Sequence, residues 1–316
     1  MNRLLACMCC LLVAPIGAAA DPPADTRSAS DAAADVQDEV TVSAPEPLYV
    51  APTMRDRIGR IWAPVTIDGK GPFRLVLDTG ASNSAITAQV AQALGIPLDG
   101  TEQVLLRAVT GSATVPTVRI SSMLVGDLMI ESVRLPIVPD ALGGAEGVLG
   151  IEGLRDKRIF IDFHHDKITI ARSHRQSAPS GFVTVPFTLT GNGLLAVDGL
   201  VGRIRVKAII DTGGQATIAN LALLRELKRR RGDQHFIHTE VIGTTDQVQP
   251  GQLSEVPTIR LGSVEVRGVH VTSGDLEIFD DWKLQDEPAM LVGMDTLGLF
   301  DRLVIDYRLR EMQVAL

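Results

Sequence analysis

The sequence predicts a mostly β protein built from two similar lobes. Runs of Val, Ile and Thr interrupted by Gly and Pro recur along most of the 316 residues, whereas patterns typical of helices are few. The triplet Asp-Thr-Gly occurs twice, and each copy directly follows an apolar run typical of a β-strand. Further matching segments follow both copies in the same order. Together these observations indicate a repeated structural unit.

Composition and charge are typical of a soluble globular protein. Charged residues make up 22% of the chain and the hydrophobic set 45%, and the formal net charge is −8 at pH 7. The negative balance disfavours a nucleic acid or an anionic membrane surface as a partner. The length leaves room for one large domain or two modest ones.

Residues 1–20 have the pattern of a secretory signal peptide. Arg3 supplies the positive charge, an apolar stretch too short to span a bilayer follows, and three alanines precede Asp21 as a cleavage site. The chain has three cysteines, all inside this segment: Cys7, Cys9 and Cys10. Cleavage would therefore leave no thiol or disulfide chemistry, and we expect an exported protein, periplasmic or secreted.

Residues 21–47 are rich in Ala, Asp, Ser and Pro, a composition that cannot bury enough apolar surface to offset the entropy of ordering. We predict a disordered linker here, with a removable propeptide as the alternative. The remaining chain is divided at the Pro- and Ser-containing segment 173–180 into an N-terminal lobe, residues 48–178, and a C-terminal lobe, residues 179–316.

The two Asp-Thr-Gly copies lie in matching surroundings. Asp78 and Asp211 each end the return strand of a predicted hairpin, with turns at 68–71 and at Asp198-Gly199, because Asp-Gly between apolar runs is a strong hairpin signal. A short helix that ends at a glycine and a Gly-centred hairpin tip follow each copy. The helices are predicted over 87–94 and 219–230, and the tips at 109–112 and 242–245.

Three later segments also match in order: 115–120 with 256–261, 148–152 with 291–295, and 158–163 with 302–307. The separation between matching residues grows only slowly along the chain. A colinear series of this kind indicates a duplication with small loop insertions.

These features resemble the retropepsin-like and pepsin-like aspartic proteases, and specifically their exported bacterial members. The resemblance covers about residues 60–316 and rests on the two triplets, the apolar-apolar-Gly segments 148–150 and 291–293, and the glycine-containing tips. Retropepsins build their site from two identical chains. Here both halves lie in one chain, so the resemblance implies a monomer.

The resemblance implies a catalytic dyad of Asp78 and Asp211. Two close carboxylates hold one proton between them, so one accepts a proton from the attacking water while the other donates a hydrogen bond to the peptide carbonyl. The sequence leaves open which residue does which. The implied loop-supporting residues are Thr79, Gly80, Ala81, Thr212, Gly213 and Gly214, and the implied flap residues are Gly111, Ser112, Gly243 and Thr244.

The supporting residues have distinct implied roles. Thr79 and Thr212 would brace the two loops against each other, and the triplet glycines would let backbone amides approach the carboxylates. Two positions depart from the family pattern, because Ala81 lacks the hydroxyl of pepsin-like sequences and Gly214 lacks any side chain. We therefore expect a less rigid second loop, and dyad pKa values high enough for activity at mildly acidic or neutral pH.

The expected function is an aspartic endopeptidase that hydrolyses extended polypeptide segments and uses neither a metal nor another cofactor. The His-Glu-x-x-His zinc signature does not occur in the sequence. Two alternatives remain open. One is a catalytically weak or inactive periplasmic peptide-binding protein on the same fold, and the other is an enzyme on this fold with a non-peptide substrate.

Overall fold

The computed structural model describes residues 60–125, 128–140, 143–165, 167–232, 236–245 and 247–316, together with the backbone of four earlier strands. The predicted signal peptide and linker lie outside the described residues, apart from the backbone of the two strands Leu12–Pro15 and Val42–Ser43. None of the helices in the described part of the chain has the length and apolar character needed to cross a bilayer.

The described strands form three sheets, and the helices are short. The first sheet contains β1 Leu12–Pro15, β2 Val42–Ser43, β4 Met54–Arg55, β5 Ile61–Ile67, β6 Lys70–Leu77, β7 Ala85–Thr87, β8 Gln103–Ala108, β9 Gly111–Val125, β10 Leu128–Val138 and β11 Gly147–Leu149. The second contains β15 Thr188–Leu189, β16 Leu195–Val201, β17 Ile204–Ile210, β18 Ile218–Ala219, β19 Ile237–Ile242, β20 Val248–Glu255, β21 Ile259–Leu261, β22 Val264–Val266, β23 His270–Gly274 and β24 Ala289–Val292. The third contains β3 Tyr49–Pro52, β12 Lys157–Asp162, β13 Lys167–Arg172, β14 Val183–Pro186, β25 Arg302–Asp306 and β26 Glu311–Ala315. The helices are α1 Ala88–Leu94, α2 Leu221–Arg231, α3 Glu277–Asp281 and α4 Met294–Leu297.

The first sheet closes on itself. Its strands run in the order β9-β10-β7-β11-β6-β5, and β5 pairs back onto β9. Two of these pairs, β11 with β6 and β10 with β7, are parallel. The parallel pair of β6 and β11 is the one that concerns the site, because Asp78 immediately follows β6 and so lies at the end of this pair.

The second sheet has the corresponding order. Its strands run β20-β23-β18-β24-β17-β16-β21, with β24 parallel to β17 and β18 parallel to β23. The one long strand β9 of the first lobe corresponds to β20 and β21, which are interrupted near Pro257. The predicted mostly β, two-lobed fold is confirmed, and the origin of this correspondence in a duplication stays a prediction.

The third sheet joins the two lobes. It runs β14-β26-β25-β12-β13-β3, with Ile159 of β12 opposite Ile305 of β25. β12 alternates buried and partly exposed residues, whereas every residue of β25 after Arg302 is buried. One continuous cluster of buried apolar side chains extends through both lobes and this sheet. The two halves therefore share a core that holds them in one relative position.

One predicted turn is wrong. Asp198 and Gly199 lie inside β16, paired with β17, and the turn falls at residues 202–203. A Cβ on Gly199 would lie 2.8 Å from the backbone oxygen of Arg260 on β21. The glycine serves close strand approach rather than a turn. The other predicted turn, both helices and both hairpin tips lie where expected to within two residues.

Candidate active site

The two strands before the triplets deliver their aspartates to the same place. Asp78 follows β6 and its N–H donates to the Leu149 carbonyl at 2.9 Å, while Asp211 follows β17 and its N–H donates to the Val292 carbonyl at 3.0 Å. Each bond continues a parallel strand pair beyond its last residue. Both aspartates are 0% exposed. The core thus contains two carboxyl groups, each held by an equivalent strand end.

The triplet glycines bring these two carboxyl groups together. A Cβ on Gly80 would lie 2.6 Å from Cγ of Asp211, and a Cβ on Gly213 would lie 2.7 Å from Oδ1 of Asp78. Each carboxyl group therefore packs against the glycine of the opposite loop, where any side chain would displace it. The Gly80 and Gly213 amides also donate to Oδ1 of their own aspartates, both at 2.8 Å.

Thr79 and Thr212 cross-link the two loops. The Thr79 hydroxyl donates to the Ile210 carbonyl at 2.8 Å and accepts from the Thr212 N–H at 3.1 Å. The Thr212 hydroxyl donates to the Leu77 carbonyl at 2.8 Å and accepts from the Thr79 N–H at 3.1 Å. Both threonines are fully buried. Four reciprocal bonds therefore hold the aspartates at a defined separation.

We expect Thr79→Val to destabilise the fold by about 2 to 4 kcal/mol, because it leaves a buried carbonyl and a buried N–H without their partner. Thr101→Val is the matched control, since that hydroxyl makes one bond to Leu98 in a partly exposed loop, and it should cost less than about 1 kcal/mol. Chemical denaturation of both variants measures the difference. Equal losses would show that the cross-link does not hold the lobes together.

Burial and charge raise the pKa of Asp78 well above its ordinary value. The largest cause is burial, followed by the negative charge of Asp211 and a hydrogen bond with the Asp211 carboxyl group. The Gly80 amide and the buried positive charge of Arg60 act in the opposite direction. Because the raising effects dominate, Asp78 stays protonated well above the pH at which a free carboxyl ionises.

The two departures from the family pattern have different consequences. The Gly214 N–H donates to Oδ1 of Asp211 at 3.0 Å, and the Gly214 carbonyl accepts from the Met294 N–H at 2.8 Å. Ala81 is buried, and its N–H donates to the Asp78 backbone carbonyl at 3.3 Å rather than to a carboxylate. Oδ1 of Asp211 thus accepts two amide hydrogen bonds, and Oδ1 of Asp78 accepts one.

The two hairpin tips meet each other. Gly243 N–H donates to the Thr110 hydroxyl at 3.0 Å, and the side-chain amides of Gln247 and Gln249 donate to the Ser112 and Thr110 carbonyls, both at 3.2 Å. The flap residues expected from the sequence, Gly111, Ser112, Gly243 and Thr244, all lie in or beside this contact, and Thr244 is fully buried.

The first tip is also attached to α3 of the second lobe. The Ser112 hydroxyl donates to a carboxylate oxygen of Glu277, and the Ile278 N–H donates to the Val109 carbonyl at 3.5 Å. Arg107 at the base of the tip forms an ion pair with Asp281, with 3.4 Å between Nε and Oδ1. The structure therefore shows the tips in a joined position.

A family model described as aspartyl protease matches residues 63–152 and 195–296, together more than half of the chain. The chain belongs to the aspartyl protease family. Each matched segment contains one Asp-Thr-Gly triplet, one hairpin tip and one apolar-apolar-Gly segment. The resemblance to retropepsin-like aspartic proteases expected from the sequence is confirmed.

Three solved structures are similar to this aspartyl protease family member. Basic 7S globulin from soybean gives a TM-score of 0.46 at 11% identity, over 86% of this chain and 95% of that chain. Conglutin gamma from lupine seeds gives a TM-score of 0.45 at 12% identity, over 85% of this chain and 94% of that chain. A retropepsin-like aspartic protease from Rickettsia conorii gives a TM-score of 0.30 at 19% identity, over 42% of this chain and 93% of that chain. No curated protein sequence is significantly similar to the chain.

Sequence reasoning missed four polar groups near the two loops. Glu152 and Asp295 accept hydrogen bonds from the far ends of the loops, and burial raises the pKa of Glu152 to about 7. Arg60 and Tyr307 are buried, and each interacts electrostatically with Asp78. Of these four residues, only Glu152 and Asp295 could have been recognised from the sequence, because they occupy equivalent positions in the matching segments 148–152 and 291–295.

Among the described residues, no group of three or more His, Cys, Asp or Glu side chains is placed to hold a metal ion.

Proposed function

We propose that the chain is an aspartic endopeptidase that hydrolyses extended polypeptide segments through a water molecule activated by Asp78 and Asp211. The family supports a protease-like function, and a polypeptide substrate follows from it. The observation that carries the finer proposal is the contact of each buried carboxyl group with the glycine of the opposite loop. Two carboxyl groups at this separation share a proton, which is the state that general acid–base hydrolysis requires.

The surroundings of the dyad favour one division of roles. Asp211 accepts two amide hydrogen bonds at Oδ1, which stabilise its ionised form. Asp78 has one such donor and a raised pKa. In this proposal Asp211 accepts the proton of the attacking water, and Asp78 donates its proton toward the carbonyl oxygen of the scissile peptide.

The joined tips define how substrate would enter. Both aspartates are 0% exposed, and in this proposal a peptide reaches them when the tips separate from each other and from α3. After closure the strands next to the tips offer backbone groups to an extended segment, and water other than the reacting molecule is excluded. One chain supplies both halves of the site, which supports a monomeric enzyme. Export from the cytoplasm remains a proposal that rests on residues 1–20 alone.

The buried and joined arrangement also favours a second candidate, a peptide-binding protein that opens rarely and turns over slowly or not at all. Incubation of the protein with a peptide library across pH, followed by mass spectrometry, separates the two. The proposed enzyme gives internal cleavage products whose formation a statine-type transition-state mimic blocks. Capture of intact peptides without products at any pH would favour the binding protein and contradict the endopeptidase.

The raised pKa of Asp78 predicts a pH-dependent stability difference. The folded state holds this proton where the unfolded chain has lost it, so the contribution to stability is complete below about pH 3.8 and is lost as pH rises through the folded pKa. Asn cannot titrate. We therefore expect Asp78→Asn to gain stability relative to the wild type as pH rises from about 4 to 7. Denaturant titrations at several pH values measure this, and a pH-independent difference would contradict it.

A further inference from the structure

The loops that carry Asp78 and Asp211 are each fastened at their far ends by an acidic side chain. In the first lobe the Ser84 N–H donates to Oε1 of Glu152 at 2.5 Å. In the second lobe the Thr217 N–H donates to Oδ2 of Asp295 at 2.8 Å, and the Thr217 hydroxyl donates to Oδ1 at 2.6 Å. Ser84 and Thr217 each lie six residues after the dyad aspartate of their lobe.

These bonds belong to a series of hydrogen bonds that joins each active-site loop to the apolar-apolar-Gly segment of the same lobe. In the first, the Ile151 N–H donates to the Ala81 carbonyl and the Gly150 N–H donates to the Ser84 hydroxyl, both at 3.0 Å. Together with the bond from the Asp78 N–H to the Leu149 carbonyl, four hydrogen bonds tie residues 78–84 to residues 149–152.

The second lobe has the equivalent hydrogen bond at each position. The Met294 N–H donates to the Gly214 carbonyl at 2.8 Å, and the Gly293 N–H donates to the Thr217 hydroxyl at 3.2 Å. The Asp211 N–H bond to Val292 and the Thr217 bonds to Asp295 complete the series. A Cβ on Gly293 would lie 2.7 Å from the Ala216 carbonyl group, so the two segments are in direct contact.

We propose that Glu152 and Asp295 are positioning residues, whose carboxyl oxygens hold the ends of the two active-site loops and thereby set the separation of the dyad. This inference rests on the proposed function, since it assigns the loops a catalytic geometry to preserve. The role needs an acceptor oxygen rather than a charge. The pKa of Glu152 is about 7 because of burial, so a neutral carboxyl group already serves in mildly acidic solution.

The need for an acceptor distinguishes the variants. Gln and Asn keep a carbonyl oxygen at the same place, whereas Ala removes it. We expect kcat to fall about tenfold in Glu152→Ala and Asp295→Ala with KM changed less than about twofold, because small misplacement of reacting groups slows the chemical step. Glu152→Gln and Asp295→Asn should stay within about twofold of the wild type in both constants.

Glu146→Ala is the matched control. Its carboxylate also accepts a backbone N–H, that of Arg74 at 2.8 Å, but on the strand before Asp78 rather than in the loop after it. We expect kcat of this variant within about twofold of the wild type. A Glu152→Ala enzyme no slower than Glu146→Ala, or a Glu152→Gln enzyme as slow as Glu152→Ala, would overturn the proposal.

Amide hydrogen exchange tests the same proposal without catalysis. Glu152→Ala should speed exchange of the Ser84 amide at least about tenfold and leave the Thr217 amide unchanged, and Asp295→Ala should do the reverse. Unchanged exchange rates in both variants would overturn the positioning role.

If the wild type cleaves no peptide, the proposed function fails while the exchange result still decides this inference. If the alanine variants do not fold, Thr217→Val against Thr217→Ser supplies the comparison, with slower turnover and faster exchange expected only for Val.

Discussion

Replacement of either dyad aspartate by asparagine is expected to lower kcat by at least about a thousandfold, since a positioned acid or base contributes up to about 10⁴-fold. Asn at 211 cannot accept the proton of water, and Asn at 78 cannot supply one to the carbonyl oxygen of the scissile peptide as the water adds to its carbon. Asn has the shape of Asp, so the contacts with Gly80 and Gly213 persist. The variants should therefore fold, and their loss of cleavage reports chemistry rather than structure.

Steady-state cleavage of one peptide substrate measures this effect, with circular dichroism as the check on folding. Asp198→Asn is the control, because that side chain is 81% exposed and its ion pair with Lys207 lies on the outer surface. It should retain the wild-type rate. Retention of more than about a tenth of the activity in either dyad variant would show that the carboxyl groups are not an acid–base pair.

Gly213→Ala is expected to inactivate the protein almost as completely. The new methyl group would lie 2.7 Å from Oδ1 of Asp78, closer than non-bonded atoms approach, so the two loops must separate. Overpacking of a well-packed core costs about 1 to 3 kcal/mol, and here the strain falls directly on the dyad. We therefore expect a large loss of kcat together with a lower denaturation midpoint.

Gly191→Ala is the matched control for this substitution. Its Cβ would meet no atom within 4 Å, and the residue lies in an exposed turn of the same lobe. Stability and cleavage should both remain near the wild-type values. An active Gly213→Ala enzyme would mean that the carboxyl groups need not touch the opposite glycines, and it would contradict the geometry of the site proposed here.

The dyad could be predicted because its signal is local. An aspartate after an apolar run, followed by Thr-Gly, identifies a strand end, and the second copy identifies its partner. The reciprocal bonds of Thr79 and Thr212 follow from the same two triplets. The glycines had a further use that the sequence does not reveal, since Gly80 and Gly213 leave room for the opposite carboxyl group and not only for their own amides.

The connections between distant segments could not be predicted. The joining of β12 to β25 across the two lobes depends on strands far apart in sequence, and no local pattern specifies such a pair. The attachment of Ser112 to Glu277 is equally remote. The prediction of a turn at Asp198-Gly199 was wrong because of another contact that is distant in sequence. The close approach of β21 to β16 outweighs the local preference of Asp-Gly for a turn.

The most direct test of the central claim is the pH–rate profile of peptide cleavage, measured side by side for the wild type, Asp78→Asn and Asp211→Asn. The shared proton and the raised pKa of Asp78 predict a bell-shaped wild-type profile with its maximum in mildly acidic or neutral solution and no bell for either variant. A maximum near about pH 2, or a bell that survives in either variant, would contradict the account.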